Sequence, residues 1–461
     1  MANSRKSRST DLAERIETAL PSGSVILVGL SGGVDSVVLL HLLHRLAPRF
    51  SWKLAALHVH HGISRHADDW AKFCTDLCVR LEIPVSVKRI DIAPLRAQGV
   101  EAAARQLRHA AFAGQPCDYV ALAHHQDDQV ETLLLQLLRG AGVKGASAMP
   151  VLSPSTELRT GSSKGIENSD HAGRYRIVRP LLHCTREEIV EYARTHELQW
   201  VEDESNADDR YPRNFLRHRL LPLLAEKFPA YRETLSRSAA HFAEAGELLD
   251  DLASMDGAHA ISSDTLRITV LQDLSHVRAK NLLRYFLHQI KAPMPQAVQL
   301  NEMLHQLLAA RNDAEVCIDF GGWQMRRFQG SAYALRMQAE IAPDFVLPWQ
   351  GELQLGWPAT DTVVSFLPLT GQGISLAKLK RASVTLRLRR GGEALRPGLK
   401  SATRSLKNLF QEQGIPPWQR DRLPLLYCGE ELVCVPGIAI AAEYQCMDGE
   451  AGMKVEMGGY C

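Results

Sequence analysis

Between the apolar runs Val25-Ile-Leu-Val-Gly-Leu30 and Val37-Val-Leu-Leu40 the chain places Ser31-Gly-Gly-Val-Asp-Ser36. Both flanks favour burial, so the first reads as a core strand and the second as the opening of a helix. Two adjacent glycines at the junction let the backbone turn tightly and present N–H groups, and a helix starting near Ser36 adds its positive end. An anion suits such a turn, above all a phosphate. The stretch has neither the Gly-Lys-Ser/Thr of a Walker loop nor the spaced Gly-x-Gly-x-x-Gly of dinucleotide binders, so on its own it is equally a plain strand-to-helix turn. Asp35 changes the weighing. A carboxylate beside a phosphate cradle is costly unless a cation such as Mg²⁺ lies between them, the other reading being a helix cap.

Up to about residue 225 such apolar runs alternate with helical patterns. The runs are 25–30, 54–60, 84–87 and 119–123, and the helix-like stretches are 36–47, 68–81 and 100–113. That alternation predicts βαβ units with right-handed crossovers, hence a doubly wound α/β domain over 1–225. Residues 153–173, rich in Ser and Gly, read as an insertion on it, either a linker loop or a lid. Over 230–340 the pattern becomes mostly helical, with Leu283, Phe286, Leu287 and Ile290 at i, i+3, i+4 and i+7; Leu266-Arg-Ile-Thr-Val270 alternates like a short strand. Over 350–461 short runs broken by Gly and Pro predict a small β-rich domain with one helix near 403–413. A chain of 461 residues, 45% hydrophobic, is long enough for these three cores.

Three further stretches gather polar groups at the ends of the expected strands. His58-Val-His-His-Gly-Ile-Ser64 closes the second, where His60 and His61 are either surface histidines or site residues. In Gly99-Val-Glu-Ala-Ala-Ala-Arg-Gln-Leu-Arg108, Glu101, Arg105 and Arg108 share a helical face, as a surface ion-pair ladder also would. After the fourth strand, His124, Asp128 and Glu131 fall at i, i+4 and i+7 beside an apolar stripe of Val130, Leu133, Leu134 and Leu137. Acids in a first helical turn often only complement the dipole, but these meet the Gly-Gly turn at the sheet edge where α/β ligands sit.

Ser31-Gly-Gly-Val-Asp-Ser36 resembles the PP-loop of the N-type ATP pyrophosphatases. With the stretches above, Arg179-Pro-Leu-Leu182, Trp200-Val-Glu-Asp-Glu-Ser-Asn-Ala-Asp208, Arg213-Asn-Phe-Leu-Arg217, Leu388-Arg-Arg-Gly-Gly-Glu393 and Lys407-Asn-Leu-Phe-Gln-Glu-Gln-Gly-Ile-Pro-Pro-Trp418, the chain resembles the bacterial tRNA(Ile)-lysidine synthetase family over nearly its whole length. The resemblance implies a ligase. ATP would adenylate the C2 oxygen of the wobble cytidine in a CAU-anticodon tRNA(Ile), and free L-lysine would then displace AMP. It implies nucleotide contacts from Ser31, Gly32, Gly33, Val34, Asp35, Ser36, His60 and His124, Mg²⁺ on Asp35 and Asp128, and catalytic roles for Asp35, Asp128, Glu131, Arg105 and Arg217.

The net charge of +1 hides one strong local feature. Residues 378–407 carry ten Lys/Arg against Glu393 alone, and Arg389, Arg390, Arg396, Lys400, Arg404 and Lys407 are the expected RNA-binding set, a solvated face being the alternative. Nine scattered cysteines without a Cys-x-x-Cys pair suit a reducing cytoplasm and weaken a competing tRNA-thiolating reading, which needs persulfide or iron–sulfur cysteines. A non-catalytic RNA-binding protein is the third reading, disfavoured by acids that would repel RNA without a metal among them. No apolar stretch spans a membrane. Monomer and homodimer both stay open.

Overall fold

A computed structural model describes residues 12–62, 64–91, 100–154, 175–311, 315–338, 341–360, 362–398 and 401–459. Two compact units divide the chain, 1–248 and 249–461. The first is built on a six-stranded sheet of β1 (Val25–Gly29), β2 (Lys53–His60), β3 (Val85–Arg89), β4 (Tyr119–Ala121), β5 (Leu152–Pro154) and β6 (Arg176–Val178). Strand order is β3-β2-β1-β4-β6-β5. All its pairs are parallel except β5 with β6.

Helices Val34–Phe50, Ala67–Arg80 and Val100–Ala113 make the crossovers, as the alternation predicts. Leu39, Leu40, Leu43 and Val38 of the first helix are buried under Ile26 and Val28 of β1. The chain steps outward from β1 to β2 to β3, then returns to place β4 on the other side of β1. Between the carboxyl ends of β1 and β4 the connections therefore diverge, opening the crevice in which doubly wound sheets hold ligands. The insertion expected at 153–173 lies outside the described residues after Pro154. Its two flanking strands, three residues each, carry too little periodicity to be read from sequence.

In the second unit, helices Ile268–Asp273, His276–Gln289 and Ala297–Ala309 cover one face of an antiparallel sheet of five short strands within 261–336. Leu283, Phe286 and Leu287 enter its core as the spacing requires, and Ile290 lies at the margin. One expectation is corrected: Leu266–Val270 is not a single strand. The strand ends at Arg267 and a helix begins at Ile268, because Ile268 and Leu271, one helical turn apart, are both buried. A separate core around Phe366, Leu386, Phe410, Leu425 and Val433 serves the β-rich C-terminal part, with its longest helix at Leu406–Glu412.

Candidate active site

The turn after β1 is shaped by one hydroxyl. Ser36 Oγ accepts from the N–H groups of Ser31 and Gly32, both at 3.2 Å, and donates to Gly33 O at 2.9 Å. Gly32 sits at φ +91°, a left-handed conformation that favours glycine. The helix starts at Val34 with Gly33 as its cap, so the N–H groups of Val34, Asp35 and Ser36 belong to the first turn and have no intrahelical acceptor. They are the donors that an anion would meet. Val34 and Ser36 side chains are buried, fixing the turn from below.

Asp35 points away from that core toward β4. Its Oδ1 is buried and lacks a hydrogen-bond partner, and burial raises its pKa, opposed by His125. His125 Nε2 stands 3.8 Å from Asp35 Oδ1 and 3.5 Å from Asp128 Oδ2, while its Nδ1 is 3.6 Å from Asp127 Oδ2. His125, not named as a site residue from sequence, is thus the buried centre of three carboxylates. The only signal for it was its place immediately before the helix.

That helix, Gln126–Leu138, corrects a second expectation. His124 precedes it, and His125 is its extended N-cap, with Asp128 accepting from the His125 N–H at 3.1 Å. His124, Asp128 and Glu131 therefore do not share one helical face, although His124 still lies near Asp128. Of the stripe, Val130 and Leu133 are buried but Leu137 is exposed.

Glu131 is fully buried and its carboxylate is consumed by arginines. Arg217 grips it bidentately, Nε to Oε1 at 2.7 Å and Nη2 to Oε2 at 3.0 Å, and Arg213 Nε lies 3.1 Å from Oε2. Arg217 also reaches Asp128 Oδ1 at 3.6 Å. Burial pushes the Glu131 pKa up, and the two arginines oppose this. Burial likewise works against the Asp128 charge, but His125, His124 and Arg213 outweigh it, so its pKa falls. Glu131 accordingly holds Arg217 beside Asp128.

A cavity of about 650 Å³ opens beside the turn, lined by Ser31, Asp35, Ser36, His60, His61, Arg108, Phe112 and His124 among others. Its size and its mixed aromatic and polar lining suit a nucleotide. Burial keeps His124 neutral, its pKa lowered to about 3, and burial with Arg108 lowers that of His61 to about 4. His60 is buried, its Nε2 3.3 Å from Asp68. Arg105 belongs to the helix Val100–Ala113, but its side chain, like that of Glu101, lies outside the described residues. Behind Arg217 a second cavity, about 780 Å³, is lined by Asp127, Glu187 and Glu191 together with Arg186, Arg194 and Arg232.

In the C-terminal part the basic run is partly neutralised by acids, most of them from beyond the run. Arg389 lies 3.3 Å from Asp421 and 3.6 Å from Glu393, Arg396 is 2.7 Å from Glu443, Arg404 is 2.7 Å from Glu412, and Arg387 is 2.9 Å from Glu430. Arg390 and Lys407 are exposed, as are Lys380 and Arg381, and Lys400 lies outside the described residues.

Residues 6–224 match the family model described as a PP-loop domain, 266–333 the TilS substrate binding domain and 384–457 the TilS substrate C-terminal domain. The chain is 42% identical to a tRNA(Ile)-lysidine synthase of Nitrosomonas europaea, over 99% of this chain and 97% of that one. It is 43% identical to that of Aromatoleum aromaticum, over 93% and 96%. The Coxiella burnetii protein of the same name is 36% identical over 95% and 94%.

Proposed function

The chain belongs to the tRNA(Ile)-lysidine synthase family, and from that premise we propose how this site ligates lysine to the wobble cytidine of a CAU-anticodon tRNA(Ile). The observation that carries the reading is the meeting of the Ser31–Ser36 turn with Asp35, Asp128 and the Glu131–Arg217 pair in one crevice. In the first step the cytidine C2 oxygen attacks the α-phosphorus of ATP and the bond to the β-phosphate oxygen breaks. The first-turn N–H groups of Val34, Asp35 and Ser36 hold the departing pyrophosphate, and Arg217 offsets charge developing beside Asp128. Asp35 and Asp128 fit Mg²⁺, since Asp35 Oδ1 is buried without a partner and a hard cation takes carboxylates together with phosphate oxygens and water. The cation would neutralise pyrophosphate oxygens.

In the second step the ε-nitrogen of lysine forms a bond to C2, the C2–O bond breaks, AMP leaves and the nitrogen loses a proton. Free lysine reaches this centre through the second cavity, whose arginines suit an α-carboxylate and whose acids suit ammonium groups. RNA phosphates are held by exposed members of the basic run in the C-terminal domain, among them Arg390 and Lys407. The setting is the cytoplasm, where the reaction's tRNA and ATP are found; among the described residues no helix is long and apolar enough to cross a membrane. Sulfur transfer is disfavoured because Cys74, whose Sγ lies against Gly32 of the turn, is buried, and burial pushes its thiol up to about 12, away from the thiolate form such chemistry needs.

The test incubates the protein with ATP, Mg²⁺, radiolabelled lysine and CAU-anticodon tRNA(Ile). ATP-dependent label in precipitated RNA with release of AMP is the expected outcome. AMP formation without label in RNA would overturn lysine as the nucleophile.

A further inference from the structure

We infer that Val201 is a positioning residue for the nucleotide, holding Gly32 so that the donors of the turn face the phosphates. The inference rests on the reading of Ser31–Ser36 as the phosphate loop. Val201 lies in the stretch between the helix Arg186–Thr195 and the arginine-bearing segment, far in sequence from the loop it touches. Its N–H donates to Gly32 O at 2.9 Å. Its Cγ2 lies 2.8 Å from where a Cβ on Gly32 would stand, and Cys74 Sγ lies 3.2 Å from the same point. The left-handed glycine is thus wedged between a valine methyl and a buried thiol.

Peptide geometry makes this contact matter for binding. A trans peptide is planar, with its C=O and the following N–H pointing in opposite directions. Fixing the Gly32 carbonyl on Val201 therefore directs the Gly33 N–H away from Val201, toward Ser31 Oγ at 3.3 Å. The neighbours of Val201 keep it in place: Leu198 and Trp200 pack on the core under the sheet. Further along, Glu204 lies 3.1 Å from Arg65 at the mouth of the nucleotide cavity, and Arg213 and Arg217 end on Glu131. One segment accordingly touches the loop, the cavity mouth and the acid–arginine cluster.

Calorimetric binding of Mg·ATP to the full chain tests the role without tRNA or lysine. Val201→Ala keeps the N–H but removes the methyl that seats it against Gly32, and should weaken Mg·ATP affinity about tenfold, the scale of losing a preorganised contact, while KM for lysine and for tRNA stays at the wild-type value and Val201→Ile restores ATP affinity. Should Val201→Ala fold poorly, Val201→Cys makes the same measurement with a smaller loss of volume. Wild-type ATP affinity in a folded Val201→Ala or Val201→Cys protein would overturn the inference, as would equal losses for ATP, lysine and tRNA. A wild-type protein that binds ATP but transfers no lysine would sink the proposed reaction and leave this role standing. Failure of the wild type to bind ATP would overturn both.

Discussion

Two carboxylates on the helices that follow the neighbouring strands β1 and β4 do different work. Asp35 keeps a buried oxygen without a partner, whereas Glu131 spends both of its oxygens on guanidinium groups. Asp35→Ala should therefore lower AMP formation by about 10²-fold or more while tRNA binding, measured by filter retention, stays near wild type. Unchanged turnover would remove Asp35 from the reaction. Glu131→Gln should act first on the fold, because it leaves the half-buried Arg217 and Arg213 facing a buried neutral amide; a loss of up to about 3 kcal/mol in urea unfolding is the scale for breaking such a pair. If Glu131 works by aiming Arg217, adding Arg217→Ala to Glu131→Gln should cost turnover less than the two single losses combined. Sequence spacing could find the acids, because they sit at a strand end and one helical face. It could not find His125, whose role depends on the chain staying extended for one residue before the helix, with φ −127° and ψ −177°.

At the scale of elements, the strand-and-crossover pattern was legible because each central strand is a nearly unbroken apolar run and each crossover is long. The flanking strands β5 and β6 and the break at Arg267 were not, since they depend on partners distant in sequence. Gly29 shows the same limit: it reads as one more residue of an apolar run, yet a Cβ there would stand 2.7 Å from Leu122 and 3.2 Å from Phe112. Gly29→Ala should destabilise the first unit by about 1–3 kcal/mol, the usual cost of overpacking, with the loss read from urea midpoints. Helix packing also sets a pH dependence. His41 of Val34–Phe50 meets Tyr192 at 3.0 Å, and burial, with His196, Arg45 and His44 nearby, lowers its pKa to about 4. The unfolded chain then binds a proton near pH 6.5 that the folded chain refuses until about pH 4. Stability from this group is complete above pH 6.5 and falls as pH drops toward 4. His41→Gln should flatten that acid-side decline in urea midpoints, and an unchanged slope would mean His41 titrates normally in the fold.

For the whole molecule, charge counted along the sequence overstates what RNA would meet. The run at 378–407 has nine positive charges in excess, but folding brings Glu430, Asp421, Glu443 and Glu412 against Arg387, Arg389, Arg396 and Arg404. Such acids come from segments beyond the run, so no local count can include them. A paired arginine already has a counter-charge and releases fewer condensed ions from RNA than an unpaired one, which makes salt dependence the discriminating observable. Arg390→Glu with Lys407→Glu removes two exposed cations that hold no side-chain ion pair among the described residues. The slope of log affinity for tRNA against log salt should then shrink by about 1.5 or more, each lost phosphate contact being worth roughly 0.7–0.9. Arg396→Gln with Arg404→Gln should change it by well under half as much, because Glu443 and Glu412 are left uncompensated only at the surface. Equal slopes for the two double variants would mean that the acid partners open when RNA arrives, and that the full run engages phosphate after all.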